Sequence, residues 1–234
     1  MTVLLVRHGR STSNTAHTLA GRAEGVDLDE RGREQAGALV DRIGSLPIRA
    51  IVRSPMLRCE RTVEPLAAAL GLEPVVDDRI SEVDYGAWTG RKIGELVKEP
   101  LWAVVQQQPS AAVFPEGEGL AGVQARAVAA VREHDRRLAD EHSGDVLWVA
   151  CTHGDVIKAV LADALGTHLD SFQRINADPA SVSVIRYTTL RPFVIHVNHT
   201  GSELNSGLSA TPTEEKSQDG APPTGDAVVG GSTG

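Results

Sequence analysis

Residues 4–11 read LLVRHGRS, an apolar run that ends in a cationic turn containing a glycine. The run extends back to residue 2 and is rich in branched side chains, which is typical of a short buried parallel strand. Arg7 and His8 therefore stand where a strand passes into a loop. Because ligands of parallel sheets bind beyond the carboxyl ends of the strands, this stretch predicts the floor of an anion-binding pocket.

Strand-like and helix-like segments alternate along the rest of the chain. Further strands are predicted at residues 48–52, 74–76 and 145–150, and a closing antiparallel hairpin at 181–188 and 192–198. Helices are predicted at residues 29–44, 54–70, 93–107, 120–141 and 156–165, with Pro55 in the first turn of the second. The alternation predicts an α/β protein, a three-layer α/β/α sandwich with a mainly parallel sheet.

Composition and charge exclude several classes of protein. The chain has 234 residues and a net charge of −8, so a broad nucleic-acid surface is not expected, and a bound anion must be held by local cations. No apolar run approaches the roughly 20 residues of a membrane helix, and no cleavable leader is evident. The two cysteines, Cys59 and Cys151, form neither a disulfide framework nor a zinc motif. We expect a cytoplasmic protein that binds neither nucleic acid nor membrane.

The composition changes near the carboxyl terminus. Residues 211–234 are rich in Pro, Gly, Ser and Thr and carry four acidic residues against one lysine, a net −3 of the total −8. Such a segment cannot bury a core. We expect one folded domain over residues 1–205 and a disordered tail over residues 206–234.

His8 is the candidate nucleophile of the anion pocket. A neutral imidazole is nucleophilic near pH 7 and can accept a phosphoryl group. The guanidinium groups of Arg7 and Arg10 match phosphate oxygens in bidentate fashion, and Gly9 allows the backbone to approach a ligand closely. For this tripeptide alone, an ordinary surface loop is the simpler interpretation, so the prediction depends on what the rest of the chain supplies.

Two further stretches supply a second arginine and a second histidine. Arg58 falls at the start of the helix that follows the second strand, and helix N-termini attract anions. Arg61, one turn later, reads as a solvated residue. His153 and Gly154 follow the fourth strand, as His8 and Gly9 follow the first. Each feature alone has a structural interpretation, but two histidine-glycine pairs at strand ends in one α/β chain favour a shared site.

An acid is still needed to protonate a leaving oxygen, and residues 80–90 offer two carboxylates in an irregular segment. We choose Glu82 as the acid and hold Asp84 in reserve. A bound phosphate raises the pKa of a nearby carboxyl by like charge, which suits a general acid near neutral pH. A solvated loop carboxylate is the alternative.

Together these stretches resemble the histidine phosphatase superfamily, also called phosphoglycerate-mutase-like, over roughly residues 2–200. They resemble most closely its small bacterial phosphatases and an actinobacterial group labelled as phosphomutases. The resemblance implies the fold of that family, with His8 as nucleophile and Arg7, Asn14 and Arg58 as phosphate ligands. We also assign Gly154 to the phosphate-binding residues. The resemblance also matches the following motif residues: Leu28, Gly32, Gln35 and Ala36; Ser54 and Thr62; Glu82, Tyr85, Gly86, Trp88 and Gly90; Pro115, Gly117 and Glu118; His153 and Gly154.

Three positions depart from the family pattern. Arg10 stands where Glu or Gln is common, Thr89 where Glu is common, and Gly119 where Ser is common. Arg10, with Arg22 and Arg91, is a candidate for binding a second anionic group of the substrate. These departures concern the choice of substrate rather than the chemistry.

The predicted reaction is hydrolysis of a small phosphorylated metabolite through a phosphohistidine. His8 attacks phosphorus, the two arginines and a cationic His153 hold the oxygens, and Glu82 protonates the leaving alcohol. No metal or cofactor is required. The alternatives are a phosphomutase of the same fold and a non-catalytic protein that binds a phosphorylated ligand. The resemblance also makes a homodimer plausible.

Overall fold

The structure, a computed structural model, describes residues 1–142 and 144–201, and within them six strands form one sheet. The strands are β1 (Thr2–Arg7), β2 (Ile48–Arg53), β3 (Val75–Val76), β4 (Leu147–Thr152), β5 (Val182–Tyr187) and β6 (Pro192–His199). Their order across the sheet is β3-β2-β4-β1-β5-β6. The first four are mutually parallel, and β5 and β6 form the antiparallel hairpin predicted for the end of the domain.

Helices cover both faces of this sheet. They are α1 (Thr12–Thr15), α2 (Glu30–Ile43), α3 (Leu57–Leu70), α4 (Ile93–Leu96), α5 (Pro100–Gln107), α6 (Leu120–His142) and α7 (Gly154–Leu165). One apolar cluster joins α2 and α3 to one face through Leu39, Val63 and Leu66, and a larger one joins α6 and α7 to the other. The predicted three-layer sandwich with a mainly parallel sheet is therefore confirmed.

Local chemistry explains three of the helix boundaries. The carboxylate of Asp29 caps α2 by accepting a hydrogen bond from the backbone N–H of Gly32 at 2.7 Å. Gly71 and Gly166 end α3 and α7 in the left-handed conformation, with φ of 65° and 67°.

Several predicted boundaries shift in the structure. Helix α3 begins at Leu57 rather than at Ser54, because Met56 is extended (ψ 135°) and serves as the N-cap. The helix predicted over residues 93–107 divides into α4 and α5, since the residue before Pro100 is disfavoured in helical conformation. The loop predicted after the first strand contains α1, and β4 lies two residues later than predicted.

The tail predicted over residues 206–234 lies outside the described residues, so the domain boundary at residue 205 stays a prediction. Among the helices of residues 1–142 and 144–201, none combines the length and apolar character needed to cross a membrane.

Candidate active site

Three adjacent strands deliver the candidate residues to one edge of the sheet. Strand β4 lies between β1 and β2, and backbone pairing continues just past the ends of all three strands. The N–H of His8 donates to the carbonyl of Thr152 at 3.0 Å, and the N–H of Ser54 donates to that of Cys151 at 2.9 Å. His8, Ser54 and His153 are thereby placed side by side at the carboxyl edge.

The loop that carries His8 is packed tightly against α2. A Cβ on Gly9 would lie 2.6 Å from the carbonyl oxygen of Gly32, and one on Gly32 would lie 2.0 Å from that of Arg10. The backbone N–H of Arg10 donates to the side chain of Gln35 at 2.8 Å, and that of Gly9 donates to the hydroxyl of Thr62 at 2.9 Å. Gly32 and Gln35, the motif residues of α2, therefore support the loop of His8, Gly9 and Arg10, which we name the nucleophile loop.

The hydrogen bonding of His8 fixes its tautomer. Its Nδ1 lies 2.7 Å from the carbonyl oxygen of Gly9, which can only accept, so Nδ1 carries the proton and Nε2 carries the lone pair. Burial lowers the pKa of His8 well below its ordinary value, and the charges of Arg58 and Arg7 lower it further. His8 is therefore a neutral imidazole with its nucleophilic nitrogen available.

Arg58 is buried with unused donors. Its Nη2 donates to the carbonyl of Gly21 at 2.8 Å and to Nδ1 of His153 at 3.1 Å. Its Nε and Nη1 are also buried, and neither has a hydrogen-bond partner within residues 1–142 and 144–201. A buried guanidinium with two unsatisfied N–H groups is suited to bind an anion.

Arg7 is the second buried cation of the site. Its Nη1 donates to the carbonyl of Ala177 at 2.7 Å. Burial lowers the pKa of this guanidinium, and the negative charges of Glu82, Asp155 and Asp178 act in the opposite direction.

His153 is held in a defined orientation between two neighbours. Because Arg58 can only donate, Nδ1 of His153 accepts, and its Nε2 donates to the hydroxyl of Ser54 at 2.8 Å. Burial, followed by the charge of Arg58, lowers the pKa of His153 well below its ordinary value. The ring is thus neutral in the protein alone. The cationic form predicted for the complex would require the negative charge of a bound phosphate.

Glu82 lies beside these groups. It is 4% exposed, its Oε2 is 3.7 Å from Nδ1 of His153, and its Oε1 accepts from the N–H of Val83 at 3.0 Å. Burial and then the charge of Asp155 raise the pKa of Glu82 to about 7, against the lowering effect of Arg58. Asp84, the reserve choice, instead accepts from the N–H of Gly86 within its own loop at 3.0 Å.

The sequence reasoning overlooked Arg126, which holds the segment that carries Glu82. From α6, its guanidinium donates to the carbonyls of Arg79, Ser81 and Glu82 at 2.7–3.2 Å and to the carboxylate of Glu118 at 2.6 Å. The family motif includes Glu118, which could have indicated that a cation contacts it. The sequence of α6, however, gives no reason to choose Arg126 over the other arginines of that helix.

The other predicted phosphate ligands, Arg10, Asn14 and Gly154, differ in what they contact. Nε of Arg10 forms an ion pair with Asp29 at 2.6 Å, so a role of Arg10 in binding phosphate stays a prediction. Oδ1 of Asn14 accepts from the N–H and hydroxyl of Ser11, which leaves its amide nitrogen to meet a ligand. Gly154 is the first residue of α7, so its N–H lies at a helix N-terminus. The roles of Asn14 and Gly154 in binding phosphate likewise stay predictions.

Ligand atoms of His8, Glu82 and His153 lie within 4.8 Å of one another, a spacing that suits a metal ion. Arg7 and Arg58 add two buried positive charges beside them, which favours an anion instead. The arrangement brings together a neutral imidazole whose Nε2 carries the lone pair, two buried guanidinium groups and a carboxyl group with a pKa of about 7, which is a set of groups suited to phosphoryl transfer.

Comparisons with known proteins identify related sequences. The family model of the histidine phosphatase superfamily (branch 1) matches residues 3–200. Phosphoserine phosphatase 1 of Hydrogenobacter thermophilus is 31% identical over 206 residues, covering 85% of this chain and 92% of that protein. The protein of Erwinia tasmaniensis named "Probable phosphoglycerate mutase GpmB" is 29% identical over 184 residues, covering 77% and 82% of the two chains.

A solved structure has the same fold. The mycobacterial glucosyl-3-phosphoglycerate phosphatase in complex with VO3 superposes with a TM-score of 0.76 at 24% identity, covering 85% of this chain and 99% of that one. With a family model that spans most of its length, this chain belongs to the histidine phosphatase superfamily.

Proposed function

We propose that this enzyme hydrolyses small phosphomonoesters through a phosphohistidine at His8. The observation that carries the proposal is the pairing of two features in one pocket. Nδ1 of His8 is committed to the carbonyl of Gly9, which leaves Nε2 as nucleophile, and Arg58 presents two buried N–H groups with no partner among the described residues. His8 supplies the nucleophile, and Arg58 binds the phosphate group that His8 attacks.

In the first step, Nε2 of His8 attacks phosphorus while the bond to the leaving oxygen breaks. Arg7 and Arg58 compensate the charge on the equatorial oxygens. The carboxyl proton of Glu82 passes to the leaving oxygen, so the alcohol departs neutral. The N–H at Nδ1 of His8 stays on the carbonyl of Gly9, which stabilises the positive ring of the phosphohistidine.

In the second step, water attacks phosphorus and the bond to Nε2 breaks. Glu82, now ionised, takes a proton from the water and returns to its starting state. Inorganic phosphate leaves, and the neutral His8 is restored. His153, adjacent to both groups, gains positive character while phosphate is present and orients the oxygens.

The main alternative is a mutase, which returns the phosphoryl group to a second hydroxyl. A mutase must hold the other anionic group of its substrate. The three cations that we considered for that task are paired: Arg10 with Asp29, Arg22 with Glu118, and Arg91 with Glu99, at 2.6–2.9 Å. This pairing favours transfer to water over transfer to a second hydroxyl of a doubly anionic substrate.

The test measures phosphate release, isomer formation and labelling together. The wild-type protein and a His8→Ala variant are incubated with p-nitrophenyl phosphate, phosphoserine and phosphoglycerates, and acid-labile phosphate on the peptide containing His8 is detected by mass spectrometry. We expect free phosphate and a labelled His8 in the wild type only. Isomer without phosphate would favour the mutase, and binding without labelling would favour a non-catalytic protein.

We also propose that the enzyme works in the cytoplasm, since both cysteines are free and buried, as suits a reducing setting. The homodimer implied by the family resemblance is tested by sedimentation of the full chain.

A further inference from the structure

A chain of buried polar groups adjoins the candidate site, and the mechanism above does not use it. The hydroxyl of Tyr85 donates to Oδ2 of Asp155 at 2.7 Å, and Nζ of Lys158 lies 3.3 Å from Oδ1 of the same carboxylate. Lys158 also donates to the side chain of Gln173 at 2.5 Å and lies 4.6 Å above the ring of Phe172.

This ion pair is unusual for its depth. Asp155 is 0% exposed and Lys158 is 1% exposed, and both stand on α7 where the neighbouring residues are apolar. Moving two charges out of water costs several kcal/mol per ion, and apolar residues of the same size often serve stability as well or better. A contribution to stability therefore does not explain the pair.

The position of Asp155 links it to both halves of the site. It follows His153 by two residues, and its partner Tyr85 follows Glu82 by three residues in the loop that carries the acid. The ring of Tyr85 is itself fixed edge-on against Phe114, with 4.9 Å between the centroids. The hydrogen bond from Tyr85 to Asp155 thus ties the loop of Glu82 to the helix that begins at His153.

Asp155 is also the negative charge that acts most strongly on Glu82. The groups facing Glu82 from the other elements are mostly cations or neutral rings: Arg7 and His8 from β1 and its loop, Arg58 from α3, Arg22 and Arg126 on its own carbonyl, His153 from the end of β4, and Lys158 from α7. These cations favour the ionised carboxylate, and without Asp155 only burial would oppose them.

We propose that Asp155, held between Tyr85 and Lys158, is a positioning residue that fixes the loop of Glu82 beside His153 and helps Glu82 to hold its proton before phosphoryl transfer. The proposal rests on the proposed role of Glu82 as the acid. Lys158 has the opposite effect on charge: it partly neutralises Asp155 and so limits how strongly Glu82 retains its proton. Removal of each partner should therefore displace the titration of Glu82 in opposite directions.

The experiment follows the carboxyl carbon of Glu82 by NMR during a pH titration of the full chain labelled with ¹³C-glutamate, with the signal assigned from Glu82→Gln. Relative to wild type, Asp155→Asn should move the midpoint of Glu82 down by about one pH unit, and Lys158→Met should move it up. Asp163→Asn, which removes a half-exposed carboxylate of the same helix paired with Arg132 at 2.7 Å, is the matched control and should leave the midpoint of Glu82 unchanged.

Activity gives a second readout that a purely structural role would not move. The fall of kcat/KM at high pH should shift with the NMR midpoint in each variant. Tyr85→Phe keeps the charge of Asp155 but removes the hydrogen bond, so it should lower kcat several-fold without lowering the midpoint.

The proposal can still be tested if the variant Asp155→Asn does not fold. If Asp155→Asn leaves Lys158 unpaired and unfolds, the double variant Asp155→Asn/Lys158→Met buries no unpaired charge, and its midpoint should lie between those of the two single changes. Shifts of equal sign in Asp155→Asn and Lys158→Met, or no shift in a folded Asp155→Asn or double variant, overturn the proposal. Because the titration needs no substrate, it tests the effect of Asp155 on Glu82 even if the wild type fails to release phosphate. That failure would overturn only the proposed function.

Discussion

At the scale of single residues, Glu82 is a buried carboxyl group that holds a proton near neutral pH. Burial and the charge of Asp155 raise its pKa to about 7, although two arginines lie nearby. A general acid is most effective when its pKa lies near the working pH. In the proposed mechanism the same residue serves as base in the second step, once its proton has left with the alcohol.

Replacing Glu82 by Gln should remove both roles. With phosphoserine we expect kcat to fall by about 10²–10⁴-fold. Wild-type kcat/KM should decline as pH rises through about 7, because the acid must be protonated, and the variant should lack that decline. With p-nitrophenyl phosphate, whose leaving group needs no proton, the variant should show a burst of nitrophenolate followed by slow turnover. An unchanged decline above pH 7 in the variant would assign the acid elsewhere.

Arg58 offers a comparison within one helix. It is buried with two unused N–H groups, whereas Arg61, one turn later, is exposed and paired with Glu64 at 3.1 Å. We expect Arg58→Lys to lower kcat/KM by about 10²-fold, because an ammonium cannot reproduce the planar fork of the guanidinium. Arg61→Lys should change it less than twofold. Equal losses from the two changes, measured by steady-state hydrolysis, would contradict the assigned role of Arg58.

The sequence identified residues that carry a motif but not the partners chosen by tertiary structure. The common location of His8, Arg58 and His153 was predictable because each follows a strand and matches a spaced pattern. The pairing of Arg10 with Asp29 was not, since it depends on how α2 packs against the nucleophile loop. Asp155 and Lys158 carried a weak signal, two opposite charges three residues apart in an apolar helix.

At the scale of elements, α2 positions the nucleophile loop by close contact of two backbones. Gly32→Ala would place a Cβ 2.0 Å from the carbonyl oxygen of Arg10. The loop must then move, and we expect a loss of about 1–3 kcal/mol in unfolding free energy together with a large fall in kcat.

Gly37, on the same helix, has nothing within 4 Å of the site of its Cβ. Gly37→Ala should therefore raise the unfolding free energy by about 0.5–1 kcal/mol and leave kcat unchanged. Urea titrations and phosphate release measured on both variants provide the comparison. If Gly32→Ala is as active as Gly37→Ala, then contact with α2 does not set the position of His8.

Element boundaries were predictable where local chemistry decides them. Asp29, Gly71 and Gly166 begin or end helices as their side chains and backbone conformations dictate. The start of β4 at Leu147 was not, because the register is set by pairing with β1 and β2, which are remote in sequence. That shift brings His153 to the residue immediately after the strand.

At the scale of the whole molecule, alternation of strands and helices was enough to predict the layers but not the order of the strands. The placement of β4 between β1 and β2 is what brings three strand ends together. The sequence predicted a shared site because all parallel strands end at one edge. The buried charges at that edge then make folding depend on pH.

The titrating groups of the site act on stability in opposite directions. His8 and His153 have lowered pKa values, so the unfolded chain binds protons more readily below about pH 6.5 and stability falls there. Glu82, with its pKa raised from 4.5 to about 7, binds its proton more tightly in the folded state. Its contribution is present below pH 4.5 and is lost as pH rises through 7.

The contribution of Glu82 can be isolated by comparing wild type with Glu82→Gln, because the histidine effects are common to both proteins. The glutamine cannot ionise, so the variant avoids the cost of burying a carboxylate at high pH. We expect the unfolding free energy of the variant, relative to wild type, to increase by on the order of 3 kcal/mol between pH 4.5 and 8. Urea denaturation at four pH values across this range measures it. A difference that stays constant with pH would mean that Glu82 ionises in the folded protein as it does in the unfolded chain.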